Sequence, residues 1–247
     1  MISLAEVRKL SKKGNVIPVY SRIPADLDTP VSAFMKLAGH KRNSFLLESI
    51  EGGEKLARYS FVGFEPFLVV EGEGNTVTLH QGRKRHQLDA NPLDFIKELF
   101  SYYKPVRVEG LPRFTGGAVG YFSYDTVRWL ENIPDANPDE IGLPMMRFAL
   151  YGKIIAFDHL KQEILLIVNI LHDARDPGLK EKYDAAAAAI EHLTQKLQAG
   201  SRRTREVKPT RSQVAAQYEQ SEFEKMVRRA KLYICEGDIF QVVLSQR

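Results

Sequence analysis

The chain has 247 residues, 44% apolar and 27% charged, with a net charge of +4 and a single cysteine, Cys235. This is the composition of one large or two smaller folded domains, and it excludes a disordered chain, an internal disulfide framework and a cysteine-based zinc cluster. No apolar run approaches the ~20 residues that span a bilayer, so no membrane partner is expected.

The isoelectric point, near 9.0, raises the question of nucleic acid. The basic residues are scattered, however, and their densest group, RRTREVKPTR at 202–211, reads as a solvated linker. With no stripe of Lys or Arg interleaved with aromatics, no nucleic-acid partner is expected. The opening MISLAEVRKLSKKGNVIP lacks the apolar core of a secretory signal, and the expectation is a cytoplasmic protein.

Thr29-Pro30 before VSAFMKLAG predicts a short helix, with Thr as N-cap, Pro in the first turn and Gly39 at the end. In FLLESIEGGEKLARYSFVGF (45–64) an apolar run ends in Glu48 and Ser49. A Gly-Gly loop follows, and Arg58 then opens an aromatic second strand. The stretch reads either as a hairpin end with solvated polar residues or as the lip of a small-molecule pocket. PFLVVEGEGNTVTLHQGRKRHQL predicts a meander with turns at GEGN and HQGR.

Asn91-Pro92, with Asp94 at the capping-box position, predicts a second helix whose apolar face is Leu93, Ile96, Leu99, Phe100 and Tyr103. The glycines of GGAVGYFSYD (116–125) suit a bulge or a close backbone crossing in a sheet and do not form a phosphate-cradling G-x-G-x-x-G. MRFALYGKIIAFD and EILLIVNIL, joined by a turn begun at Asp158, read as a long buried hairpin.

Up to about residue 170 the pattern is a strand-rich, largely antiparallel α+β domain with inserted helices. An alanine-rich helix, LKEKYDAAAAAIEHLTQKLQ, ends at Gly200, and the basic linker follows. Ser221 and Glu224 form an S-x-x-E box opening another helix, with Phe223, Val227, Ala230 and Ile234 on one face and Gly237 closing it. IFQVVLSQR then reads as a strand. One helix and one strand cannot enclose a core, so after a domain at 1–198 and a linker at 199–214 the residues 215–247 read either as the incomplete start of a second domain, which the resemblance below implies, or as elements packed back onto the first. The six histidines fall in no H-E-x-x-H or Ser/His/Asp pattern.

LLES (46–49) with RYSFVGFEPF (58–67), GGAVGYFSYD (116–125) and GDIFQVVLSQR (237–247) together resemble component I of anthranilate synthase, in the order and approximate spacing of that family. The resemblance implies a regulatory N-terminal domain followed by the first helix and strand of a truncated chorismate-binding domain. It also implies feedback inhibition by L-tryptophan at a site that includes Ser49, Glu48, Leu47, Arg58 and Tyr59. A free amino acid needs an acceptor for its ammonium, donors for its carboxylate and an apolar slot for its side chain. Glu48 would be the acceptor, Ser49 and nearby backbone N–H groups the donors, and Leu46, Leu47 and the aromatic strand the slot. On the residues alone, Ser49 capping a turn is the competing account.

By the same resemblance Gln241 stands where water-adding relatives carry a lysine. An amide cannot act as their base, which fits ammonia as nucleophile; a satisfied strand glutamine is the plain alternative. The implied reaction aminates chorismate, eliminates pyruvate and aromatises the ring. It would use ammonia from a glutamine amidotransferase subunit and Mg2+ held by glutamates that lie in the absent half, so the chain alone is expected to be inert. The related aminodeoxychorismate synthase component I usually reads QVNL where this chain reads QVVL, with Val243 carrying the distinction. A stand-alone amino-acid sensor is the alternative from another class.

Overall fold

A computed structural model describes residues 1–39, 41–48, 58–134, 139, 141–173, 176–199 and 215–246. The chain divides into two compact units, Met1–Arg202 and Arg203–Arg247.

The first unit opens with helix α1 (Leu4–Leu10), where Ser3 and Glu6 form a reciprocal capping box. Strand β1 follows at Val16–Pro24. Helix α2 (Pro30–Leu37) begins as its sequence predicts, with the Thr29 hydroxyl accepting from Ser32 N and the Ser32 hydroxyl accepting from Thr29 N. Next come β2 (Phe45–Leu47), β3 (Tyr59–Gly63), and the meander β4 (Leu68–Glu73), β5 (Thr76–Gln81) and β6 (Lys84–Asp89). Helix α3 (Pro92–Tyr102) is capped by Asn91 Oδ1, which accepts from Leu93 N at 2.9 Å and Asp94 N at 3.3 Å. Then follow β7 (Gly117–Phe122), a 3-10 turn at Tyr124–Trp129, β8 (Met146–Tyr151), β9 (Lys153–Asp158), β10 (Glu163–Leu171) and the alanine-rich α4 (Leu179–Gln198).

Among the described residues these strands form two five-stranded antiparallel sheets, ordered β1-β10-β9-β3-β2 and β6-β5-β4-β8-β7. The first sheet buries one face against α2 and α4: Ile17, Val62, Ile155 and Leu166 meet Leu37, Ile190 and Leu193. The second sets Val70, Val77 and Met146 against Ile96 of α3. The remaining faces meet each other through Val69, Ala149 and Ile154, with Phe45, Phe61 and Phe114 packed in. Alternate residues of β9 divide accordingly: Ile155 and Phe157 face the helices, while Ile154 faces the opposing sheet.

Three sequence expectations change here. MRFALYGKIIAFD is two strands rather than one arm of a hairpin: β8 pairs with β4 and β7, and after Gly152 alone the chain enters the other sheet, where β9 pairs with β10 and β3. Each half finds its own ladder partners, which alternation cannot foretell. The last helix, α5 (Gln220–Glu236), takes its capping box from Glu219 and Glu222 rather than Ser221 and Glu224. Glu219 is the last residue with extended backbone (φ −64, ψ 148), so Ser221 already lies inside the first turn. It closes as expected at Gly237, in the left-handed region at φ 85. Finally, residues 239–246 form no strand, since none of the described residues makes a β-ladder with them. Gly200 and the basic stretch 200–214 lie outside the described residues.

The glycine-rich entry to β7 does contain a close crossing. A Cβ on Gly120 would fall on the carbonyl oxygen of Arg147 and 2.7 Å from Phe148 Cα, so only glycine lets β7 lie against β8 there.

Candidate functional site

β2 and β3 are antiparallel neighbours, with Leu47 opposite Phe61. Their pairing brings Leu47 and Glu48 to the same end of the sheet as Arg58 and Tyr59. Leu47 is 47% exposed, and Glu48 is exposed just beyond the strand. Ser49, the fifth residue of the sequence-predicted site, lies outside the described residues.

Arg58 is held rather than free. Its Nε and Nη2 donate to the two carboxylate oxygens of Asp158 at 3.0 and 2.7 Å, a bidentate pair. The Asp158 side chain is 1% exposed and also accepts from Lys161 N at 3.2 Å. Burial pushes the Asp158 carboxyl up, but the Arg58 hydrogen bonds, the Lys161 N–H and the guanidinium charge outweigh it and leave the group below the usual aspartate range. The hydrogen bonds that Arg58 donates to Asp158 in turn raise the Arg58 guanidinium. Arg58 also lies over the Tyr59 ring, 4.9 Å from its centroid. Burial raises the Tyr59 phenol, and the nearby Asp158 charge adds to the rise. Beside them Ser60, buried within β3, shares a 2.7 Å hydrogen bond with His159 Nε2.

From Tyr59 a row of aromatic rings runs between the sheets. Tyr59 stacks near Phe61 at 6.0 Å, Phe61 meets Phe114 edge-on at 5.4 Å, and Phe114 lies 6.3 Å from Phe45. Phe45 in turn meets Tyr151 edge-on at 4.9 Å. This end of the molecule thus offers an apolar wall, a bidentate Arg–Asp anchor and an exposed carboxylate. Sequence reasoning missed Asp158, visible only as the start of a turn, and Phe114, which lies in an irregular stretch with no pattern to mark it.

Gln241 and Val243 belong to the second unit, in the irregular stretch after α5, and both are exposed, Val243 at 80%. Among the described residues no three His, Cys, Asp or Glu side chains gather in a way that could hold a metal ion. No helix there is long and apolar enough to cross a membrane.

The family model for chorismate binding enzymes matches residues 42–247. The chain is 38% identical to anthranilate synthase component 1 of Acetivibrio thermocellus, over 99% of this chain and 50% of that protein. It is also 38% identical to the component 1 of Aquifex aeolicus, over 100% of this chain and 50% of the relative. Among solved structures, anthranilate synthase component I from Streptococcus pneumoniae TIGR4 superposes with a TM-score of 0.62 at 29% identity, covering 92% of this chain and 48% of the other. The chain therefore spans about half the length of the relatives it matches. The match runs through both units, from before β2 to the last residue, and on that extent the chain belongs to the family of chorismate binding enzymes.

Proposed function

We propose that the chain is the N-terminal, mainly regulatory part of the large subunit of a cytoplasmic anthranilate synthase. The reaction joins ammonia to chorismate: a ring C–N bond forms as the hydroxyl leaves as water. The enolpyruvyl C–O bond then breaks, a ring proton is lost, and pyruvate departs from the aromatic anthranilate. Ammonia would come from a glutamine-hydrolysing partner subunit. Gln241, whose amide cannot take a proton from water, fits an enzyme that admits ammonia instead. Among the described residues no side-chain group fits a Mg2+ site; magnesium would be held by glutamates outside this chain.

The role proposed for the described residues is inhibitor binding. Glu48 accepts from the ammonium of L-tryptophan, Ser49 donates to its carboxylate, and Leu47 and Tyr59 flank its indole. Arg58, fixed by Asp158, holds the strand end in place and adds positive charge beside the carboxylate.

The observation that carries this reading is the 38% identity to two component 1 proteins along essentially the whole chain. It is tested by joining the chain to the remaining half of the Acetivibrio thermocellus relative and assaying chorismate and ammonium for fluorescent anthranilate. Anthranilate formation that L-tryptophan inhibits, with inhibition weakened at least tenfold in Ser49→Phe and turnover retained, is the expected result. Aminodeoxychorismate as product, or inhibition unchanged by Ser49→Phe, would overturn it. Anthranilate made by the 247-residue chain alone would contradict the assignment of catalysis to residues outside it.

A further inference from the structure

The end of β3 remote from Arg58 opens into a cavity of about 630 Å3, formed where the two sheets exchange strands at Gly152. Its walls are Phe67, Phe100, Tyr103, Leu150, Tyr151 and Val168. Phe67 and Tyr103 meet edge to face at 6.2 Å, leaving ring faces for a flat guest. Asn169 braces the wall: its Nδ2 donates to Thr115 O at 2.7 Å and Gly152 O at 3.2 Å, tying the approach to β7 to the crossover. Water against so much apolar surface is unfavourable by about 25 cal/mol per Å2, so an apolar occupant is favoured.

Charge at the opening narrows the choice. Glu65 and Lys153 also line the cavity, with side chains 50% and 38% exposed. Glu65 accepts from Lys41 Nζ at 2.6 Å and from Lys153 Nζ at 3.3 Å. The hydrogen bond from Lys41 is the main influence holding the Glu65 carboxyl below its usual range, so the carboxylate is ionised at neutral pH. One carboxylate thus faces two ammonium groups, and the shorter contact is to Lys41. The cluster of Glu65, Lys41 and Lys153 carries one excess positive charge, and Lys153, the cation of the two that lines the cavity, has the longer contact to Glu65. The pocket therefore attracts an anion and disfavours a cation.

We propose that this cavity is a second small-molecule site, separate from the Arg58 end, that binds a flat aromatic carboxylate with its rings against the Phe67 and Tyr103 side of the wall and its carboxylate on Lys153. The assignment stands independently of the chain's proposed part in anthranilate formation.

The test titrates the full chain with naphthalene-2-carboxylate and, separately, with the neutral naphthalene-2-carboxamide, following backbone amide NMR shifts. The carboxylate is expected to bind about tenfold more tightly than the amide, with shifts concentrated at residues 65–67, 100–105 and 150–153. In Lys153→Gln that preference should disappear, and in Lys153→Arg, which keeps the charge, it should persist. Equal affinity for the two probes, a preference that survives Lys153→Gln, shifts gathered around Arg58 and Tyr59, or no saturation at millimolar probe would each overturn the proposal.

Discussion

The two ends of β3 handle charge in opposite ways. At the first, Arg58 and Asp158 meet in a parallel two-bond pair, and Asp158 is sealed at 1% exposure. At the second, Glu65 is split between Lys41 and Lys153, in side chains that stay partly in water beside an apolar hollow. A carboxylate sealed on its own guanidinium anchors the strand first of all. A charge left over next to apolar walls can recognise something from outside. The presence of charged residues in a motif therefore does not reveal which of these roles they serve; the stoichiometry of their partners does.

The comparison is broken most drastically by removing what the two ends share. Ile155, opposite Val62 in the register, is completely buried between β3 and the helices. Ile155→Ala should cost about 3 kcal/mol and lower Tm by roughly 10 °C, with probe binding weakened in parallel; calorimetry and the NMR titration read both. Next comes Asp158→Asn, which withdraws the charge partner of Arg58 and should cost about 2 kcal/mol at neutral pH by urea unfolding, leaving naphthalene-2-carboxylate affinity unchanged. Its pH dependence has a definite sign. The folded carboxyl titrates below its unfolded value, so its contribution is complete above the unfolded pKa of ~4 and fades as pH falls through the lower folded value. The stability gap between wild type and Asp158→Asn should accordingly close in acid; a gap constant down to strongly acidic pH would mean the ion pair is not its source. The smallest change in stability is expected from Glu65→Gln, at most about 0.5 kcal/mol, because the pair is half-exposed. The same substitution frees both lysines and should tighten carboxylate binding severalfold, which separates recognition from anchoring at that end.

The legible parts of this fold announce themselves locally. Thr29-Pro30 and Asn91-Pro92 start helices because side-chain acceptors and a missing N–H suit the first turn, and the meander follows from its turns at 74–75 and 82–83. The Ser3–Glu6 box of α1 was equally present in the sequence, but it opens a helix of only 7 residues, too short to show a periodic face. VIPVYSRIP carries Pro18 and Pro24, residues that argue against a strand. β1 tolerates them because it is an edge strand: among the described strands it pairs with β10, and its other side is met at Val16 by residues 104–106. The split of 146–158 between two sheets, and the lack of a ladder for 239–246, depend on which partners are at hand, and no local pattern encodes that.

The site divides in the same way. The family resemblance groups Leu47, Glu48, Arg58 and Tyr59, and the antiparallel pairing of β2 with β3 brings them to one end of the sheet. Asp158 lies 100 residues from Arg58 along the chain, and the cavity draws its lining from widely separated segments. Neither leaves a trace in any one window of sequence.

The pairing of β1 with β10 carries a consequence for how the protein is made. Val16 finds its counterpart in Leu171, whereas β4, β5 and β6 fold back on immediate neighbours. During synthesis, which releases the N-terminus first, the meander can form as it emerges. β1 must wait, with its backbone unsatisfied, until most of the first unit has left the ribosome. Closing so long a loop is the slow entropic step, and over that interval the nascent chain depends most on chaperones that shield an unpaired strand.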